Sequence, residues 1–240
     1  MRELVENDRI VGGTTDEATK RTVAFYNTFV EGKVLSTTAR TAEMAKLTEN
    51  SFRDVNIAFA NELSILCDKF EIDVWELISL TNRHPRVNVL QPGAGVGGHC
   101  IAVDPWFIVH AAKEENIDVK IIKTAREVNI HKTEWVIEKI KNEALKFEII
   151  HNRKAKVACM GLAFKPNIDD LRESPALYIT RRLIAEGLDI IAVEPNISTL
   201  EGVKLFDCKD AVQEADIVTF LVAHKEFTNL DVVNERACGK

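Results

Sequence analysis

One stretch of the chain combines a cysteine with the permissive backbone that covalent chemistry needs. Residues 91–107 read QPGAGVGGHCIAVDPWF, and Cys100 follows four glycines that lie within six residues. Glycine lets the backbone approach a ligand closely, and a thiol at the end of such a loop, just before a helix, is where a reactive cysteine can sit. A lone cysteine is more often a small buried apolar residue, so both interpretations of Cys100 stay open here.

The glycines do not fit a dinucleotide-binding turn, although Gly93, Gly95 and Gly98 formally satisfy G-x-G-x-x-G. That turn needs a strand running into the glycines and a helix starting at the third one. Here Pro92 precedes the glycines. Asp104, followed by proline, predicts the helix start, with Asp104 as its N-cap. We therefore predict a loop that carries Cys100.

Polar residues outside this loop could also bind ligands. Lys46, Asn50 and Asp54 recur every four residues on a helix predicted over 41–70, and so share one face of it. That face is either solvated or a row of ligands, and spacing does not decide between the two. The basic segment NRHPR at 82–86 is likewise either exposed charge or a clamp for phosphate or carboxylate.

The elements that must position these residues fall into three regions and predict an α/β protein. Residues 1–40 read as strand-helix-strand, and 41–153 as a region of long helices that could pair across a dimer. Residues 154–240 alternate strands with helices, which predicts a Rossmann-like parallel sheet with ligands at the carboxyl ends of its strands. The predicted strands are Arg9–Gly13, 33–38, 156–164, Asp189–Val193, 203–206 and 216–223.

The first region is a single β-α-β unit with no sheet around it. A parallel pair of strands does not by itself cover both faces. We therefore expect either that the chain is a piece of a longer protein, whose earlier part completes this domain, or that another chain covers the gap.

Composition excludes several classes of protein. The 240-residue chain is 46% hydrophobic with a formal net charge of −6, which supports a packed core and argues against nucleic acid as its main partner. No apolar run reaches the roughly 20 residues of a membrane span, and the first residues lack a signal-peptide core. The five cysteines show no C-x-x-C spacing. That predicts neither a disulfide framework nor a metal site, and fits a reducing cytoplasm.

Three segments resemble one family, the UDP-glucose/GDP-mannose dehydrogenases. TAEMAKLTENSFRDVNIAFANELS at 41–64 resembles the central helix of that family. GAGVGGHCIAVDPWF at 93–107 resembles its catalytic-cysteine loop, and GLAFKPNIDDLRESPA at 161–176 resembles the entrance to its UDP-sugar-binding domain. The resemblance covers the chain from about Arg9 to Lys225.

The resemblance implies an NAD-dependent, four-electron oxidation of a sugar C6 alcohol to a carboxylate. Cys100 would attack the C6 aldehyde, and water would hydrolyse the resulting thioester. Lys46 and Asn50 would stabilise the oxyanion, and Asp104 would position or activate the water. The implied substrate contacts are Gly97, Lys165, Arg172 and, across the dimer, Arg86 or alternatively Arg83.

Within the family, the cysteine loop is most similar to that of the members acting on UDP-N-acetyl-D-mannosamine, because of His99 and the IAVDPWF ending. UDP-glucose and GDP-mannose stay open as substrates, as does a non-catalytic module for dimerisation or nucleotide-sugar binding. The main departure is the absent glycine fingerprint of the NAD-binding domain, of which 1–40 match only the last β-α-β. We therefore expect this chain by itself to bind NAD poorly and not to turn over.

Overall fold

The computed structural model describes residues 2–228 and 230. Cys238 and the last ten residues of the predicted third region lie outside the described residues. The helices are α1 (Arg2–Glu6), α2 (Asp16–Tyr26), α3 (Ala39–Phe70), α4 (Val74–Thr81), α5 (Asp104–Glu114), α6 (Lys120–His151), α7 (Pro175–Ala185) and α8 (Cys208–Glu214). The strands are β1 (Arg9–Gly13), β2 (Val34–Thr38), β3 (Lys156–Met160), β4 (Asp189–Val193) and β5 (Ile217–Phe220). The α/β class is confirmed.

The first forty residues form the predicted strand-helix-strand unit. Strands β1 and β2 pair in parallel, with Arg9 opposite Val34. Helix α2 begins as expected, because the Thr15 hydroxyl accepts a hydrogen bond from the Ala18 amide. It ends at Tyr26, since Asn27 and the residue after it favour turns over helix.

Helices α3 and α6 are the longest elements described, and each has 32 residues. Helix α3 is about 48 Å long. Of the two interpretations of the polar face, a solvated surface does not hold for Asn50 and Asp54, because both are buried. Instead, the large apolar side chains of the helix are exposed. These are Met44, Phe52, Phe59, Leu66 and Phe70.

The buried face of α3 meets α6 through a polar network rather than an apolar seam. Arg126 Nη1 donates to Asp54 Oδ1 at 2.6 Å, and Asn129 Nδ2 donates to the same oxygen at 2.8 Å. Asn61 Nδ2 then donates to Asn129 Oδ1 at 2.8 Å. Burial raises the pKa of Asp54 although Arg126 opposes that shift. The network fixes how α6 lies on α3, since its hydrogen bonds join Asp54 and Asn61 of α3 to Arg126 and Asn129 of α6.

The carboxyl-terminal half of the structure is a three-stranded parallel sheet in the order β4-β3-β5. One face packs on α6 and α7 through residues that include Val157, Ile137 and Ile179, and the other face packs on α8 through residues that include Met160 and Val212. The predicted strand at 203–206 is wrong, because this segment makes only isolated bridges. No helix within the described range is long and apolar enough to cross a membrane.

Strand β3 is shorter than predicted and ends at Met160, because the chain turns away at Gly161. The φ of Gly161 is 87°, a left-handed conformation that favours glycine. A Cβ here would also meet Val222 at 2.7 Å. The turn sends the next segment, 162–167, along the carboxyl ends of the strands, where ligands of such sheets bind.

Candidate active site

The segment with Cys100 is a loop, as predicted, and it runs between the helical region and the sheet. On the helical side, the Gly93 amide donates to Asn61 Oδ1 at 2.9 Å, and the Thr133 hydroxyl donates to the Ala94 carbonyl at 2.9 Å. On the sheet side, the Gly98 amide donates to the carbonyl of Arg172 at 3.2 Å. Both parts of the molecule therefore hold the loop before it reaches the cysteine.

Close approach or backbone conformation requires glycine at three positions of this loop, Gly95, Gly97 and Gly98. Gly95 and Gly98 have φ values of 139° and 83°. A Cβ on Gly97 would collide with the Glu173 carbonyl and lie 2.7 Å from Pro175 Cδ. The loop therefore packs directly on the backbone that leads into α7.

Cys100 lies in the turn before α5 and is partly exposed. Its carbonyl accepts hydrogen bonds from the amides of Val103 at 3.0 Å and Asp104 at 2.8 Å. The sequence predicts Asp104 as the N-cap of α5. This prediction is wrong by one residue, because Val103 is the N-cap and Asp104 is the first helical residue. The Asp104 carboxylate instead accepts from Asn50 Nδ2 at 2.5 Å. The structure thus joins Asn50 to Asp104, four residues after the cysteine.

Lys46 lies one turn before Asn50 on α3, with its side chain 63% exposed. Its ammonium group is 3.4 Å from the Glu49 carboxylate. The helix thus places Lys46 on the same side as Asn50, and this exposed ion pair restrains it only weakly.

Arg172 reaches the cysteine from the sheet side. Its guanidinium group donates to both carboxylate oxygens of Asp170, the shortest bond being 2.7 Å. These bonds lower the pKa of Asp170 to about 2. They also raise the pKa of Arg172, and the negative charge of a Cys100 thiolate acts in the same direction. Arg172 thus presents a positive charge to the loop that carries Cys100.

Lys165 follows Phe164 in the segment that leaves β3. Lys165 is exposed, with Nζ 5.6 Å from the centre of the Phe164 ring. A Cβ on Gly98 would lie 3.0 Å from that ring, so the aromatic side chain packs on the cysteine loop. Lys165 therefore stands at the carboxyl edge of the sheet, beside the loop that carries Cys100.

The structure does not bring Arg83 or Arg86 to this cluster. Both are exposed in the loop after α4. The neighbouring Val87 packs near Ala60, which is ten residues along α3 from Asn50, or about 15 Å. Any role of these arginines at the same Cys100 stays a prediction.

Sequence reasoning missed two residues that hold the loop, Asn61 and Thr133. They lie far from Cys100 in the chain and belong to no local motif. Only their polarity at buried helical positions could have singled them out. A cleft of about 950 Å³ between α5, α6 and α7 adjoins the cluster. Val96 and Ala102 of the cysteine segment line it together with Trp106 and Tyr178, but Cys100 and Lys165 do not.

The described residues do not offer a turn that fits the pyrophosphate of a dinucleotide. At the end of β1, the Gly13 amide is bonded to the Thr19 hydroxyl at 3.0 Å. After β3, the amides of Leu162 and Ala163 are bonded to the Glu194 carboxylate at 2.7 and 2.9 Å. A dinucleotide turn needs such amides free for phosphate.

Adding one methyl group at a glycine tests whether the loop packs on the backbone before α7. We expect Gly97→Ala to lower the free energy of unfolding by about 1–3 kcal/mol, because the new Cβ overlaps the Glu173 carbonyl. Gly93→Ala is the control, since its nearest neighbour is the Gly95 carbonyl at 3.7 Å. Urea unfolding of both variants measures the difference. Equal losses in the two would contradict the contact between the loop and α7.

Comparison with known proteins places this geometry in a class. Two models of the UDP-glucose/GDP-mannose dehydrogenase family match the chain, the central domain over residues 40–131 and the UDP binding domain over 158–238. The chain belongs to the UDP-glucose/GDP-mannose dehydrogenase family, a family of oxidoreductases that act on nucleotide sugars. The resemblance recognised in the sequence is confirmed.

Several individual proteins of known name are similar to this chain. The chain is 59% identical over 235 residues to UDP-N-acetyl-D-mannosamine dehydrogenase of Campylobacter jejuni, covering 95% of this chain and 56% of that protein. It is 55% identical over 236 residues to NDP-N-acetyl-D-galactosaminuronic acid dehydrogenase of Ralstonia solanacearum, covering 96% and 54%. The solved UDP-D-ManNAc dehydrogenase of Pyrococcus horikoshii superposes with a TM-score of 0.85 at 37% identity, covering 96% and 53%. The chain thus spans about half the length of the relatives it matches.

Proposed function

We propose that this chain supplies the nucleotide-sugar side of an NAD-dependent dehydrogenase that oxidises UDP-N-acetyl-D-mannosamine to UDP-N-acetyl-D-mannosaminuronate. The reaction would convert the C6 alcohol to a carboxylate, with a thioester on Cys100 on the way. One observation carries the proposal. The Gly98 amide donates to the carbonyl of Arg172, so the cysteine loop is bonded to the stretch after β3 that also carries Lys165. This contact supports a single site for the nucleophile and the nucleotide-binding residues.

The chain's own residues support specific parts of this chemistry. The Cys100 thiolate would add to the C6 aldehyde, and the carbonyl oxygen would become an oxyanion that Asn50 and Lys46 stabilise. Once the thioester is formed, water would attack it, and the thiolate of Cys100 would leave. Asp104 would hold that water, oriented by its hydrogen bond with Asn50. Two molecules of NAD would together accept the four electrons, as one hydride each. The described residues lack a dinucleotide turn that fits NAD.

Substrate binding would fall to the carboxyl edge of the sheet. Lys165 and Arg172 would contact the UDP phosphates, and Gly97 would contact the sugar through its backbone. Arg86, or Arg83, would act across a dimer. The exposed apolar side chains of α3 support a homodimer through the central helices, because an exposed apolar row of this kind marks an interaction surface. We also propose that the chain divides into three regions, residues 1–40, 41–153 and 154–240.

Ligand binding to the 240-residue chain tests the proposal directly. We expect UDP-N-acetylmannosamine and UDP to raise the melting temperature, and Lys165→Ala to weaken UDP binding about 10- to 100-fold, since a charged hydrogen bond is lost. Lys154→Ala is the control, because Lys154 is exposed just before β3, at the opposite edge of the sheet. Stabilisation by GDP-mannose alone would contradict the substrate class.

A non-catalytic nucleotide-sugar-binding module is the second candidate, favoured by the occupied amides at both strand ends. That this chain alone does not turn over stays a prediction. NADH formation from UDP-N-acetylmannosamine and NAD by the 240-residue chain would contradict it.

A further inference from the structure

A buried histidine and a buried glutamate meet behind the segment that carries Lys165. His224 and Glu194 are almost fully buried, and His224 Nε2 lies 3.1 Å from Glu194 Oε2. No step of the proposed reaction uses either residue. Burying a carboxylate and an imidazole is costly unless both are hydrogen-bonded, so their partners indicate what the pair does.

Glu194 holds the base of the segment 162–167. Its Oε2 accepts from the amides of Leu162 and Ala163, and its Oε1 accepts from the amide of Asn196 at 3.0 Å. Burial raises the pKa of Glu194, but these hydrogen bonds, with His224, outweigh it and leave the pKa lowered. Glu194 is therefore an anion that fixes the amides of Leu162 and Ala163.

His224 holds the far end of the same segment. Its Nδ1 lies 2.9 Å from the Asn167 amide and 3.0 Å from Asn196 Nδ2. An amide nitrogen only donates, so Nδ1 must be the unprotonated acceptor, and the proton sits on Nε2, facing Glu194. Asn167 is further tied down, since its Oδ1 accepts from the Lys225 amide at 2.8 Å.

Phe164 and Lys165 lie between these two anchors. The segment is short, and Asn167 adopts a left-handed φ of 61°, a conformation that needs support from its surroundings. With both ends fixed, the Phe164 ring stays on Gly98 and Lys165 stays at the edge of the sheet. Lysine has a long flexible side chain, so a fixed backbone reduces the entropy lost when it binds a phosphate.

We propose that His224 and Glu194 are positioning residues that hold Lys165 for the nucleotide. The inference rests on the proposed function, in that it takes Lys165 to bind the UDP phosphates. The two residues touch no ligand themselves. They act through the backbone of 162–167.

Two substitutions separate this role from simple packing. In His224→Asn, the side-chain oxygen can take the place of Nδ1 and still accept from Asn167. In His224→Gln, the amide can take the place of Nε2 and donate to Glu194, but the acceptor for Asn167 is lost. Both remove a buried ring and should lower stability, so stability alone does not distinguish them.

The experiment measures amide hydrogen exchange of 162–168 and UDP affinity in the 240-residue chain. We expect His224→Gln to exchange the Asn167 amide about 10-fold faster and to bind UDP about 10-fold more weakly, the effect of one lost hydrogen bond. We expect His224→Asn to stay within about 3-fold of the unsubstituted chain in both measurements.

Each outcome decides between the two proposals. Unchanged exchange or UDP affinity in His224→Gln, while Lys165→Ala binds poorly, would overturn the positioning role. Equal losses in His224→Asn and His224→Gln would also overturn it, because packing alone would then explain the effect. If Lys165→Ala binds UDP normally, the proposed function fails at that residue, and the exchange data still decide whether His224 anchors the segment.

Discussion

Iodoacetamide is expected to alkylate Cys100 at least about 10³-fold faster than Cys159 in the folded chain. Burial raises the pKa of Cys159 to about 12, against a smaller opposing effect of a hydrogen bond with Thr180. At about pH 7.5 roughly three in 10⁵ of these thiols would be ionised, and the side chain is fully buried. Cys100 is partly exposed beside Arg172, so reagent and positive charge both reach it.

Mass spectrometry of peptides from a Cys238→Ser background measures the two rates. Cys208 is the internal reference, because it is also partly exposed, but burial and then Asp207 raise its pKa. Cys100→Ala should remove the fast adduct and leave the other peptides unchanged. A Cys100 rate no greater than that of Cys208 would argue that the glycine loop displays an ordinary thiol, and would remove the nucleophile from the proposed mechanism.

Arg126→Met is expected to lower the free energy of unfolding by about 3–5 kcal/mol, the usual cost of leaving a buried charge without its partner. Asp54 is fully buried, and within the described residues its second carboxylate oxygen already has no partner. Lys139→Met is the matched control, because Lys139 also links α6 to α3 but its ion pair with Asp68 is about 40% exposed. That variant should lose no more than about 1 kcal/mol.

The pH dependence gives this second prediction a sign. Burial already raises the pKa of Asp54, and removal of Arg126 raises it further. The native state then keeps a proton that the unfolded chain releases, so stability falls as pH rises between the unfolded and the folded pKa. The deficit of Arg126→Met should therefore shrink as pH falls from neutral toward the ordinary pKa of Asp. Urea titrations across that range would contradict this if the deficit stayed constant.

Local patterns predicted the elements well where a cap or a buried run marks them. Ser174 caps α7 and Asp73 caps α4 through their side chains, as their residue types suggest. Strand β4 has the predicted bounds. The predicted strand at 203–206 does not form, because its pairing with β4 stops at a single bridge between Leu205 and Ala192.

The site was predictable only in part, for a different reason. The motif located Cys100, and the four-residue spacing placed Lys46 with Asn50. Whether this face of α3 is exposed to solvent or buried depends on its contacts with α6, and no local sequence pattern specifies those contacts. The helix signal for Asp104 likewise gave the start of α5 almost correctly but missed that its carboxylate turns toward Asn50.

The contact between Gly97 and the backbone before α7 also limits which segments could be exchanged between members of the family. A graft that takes residues 154–240 from another family member would keep this loop opposite a foreign surface. Gly97 has no room for an added atom against Glu173, and the Gly98 amide bonds the Arg172 carbonyl directly. The loop and the edge of the sheet must therefore be exchanged together. Recombination that preserves chemistry would move residues 91–98 together with 161–178, across the apparent domain boundary.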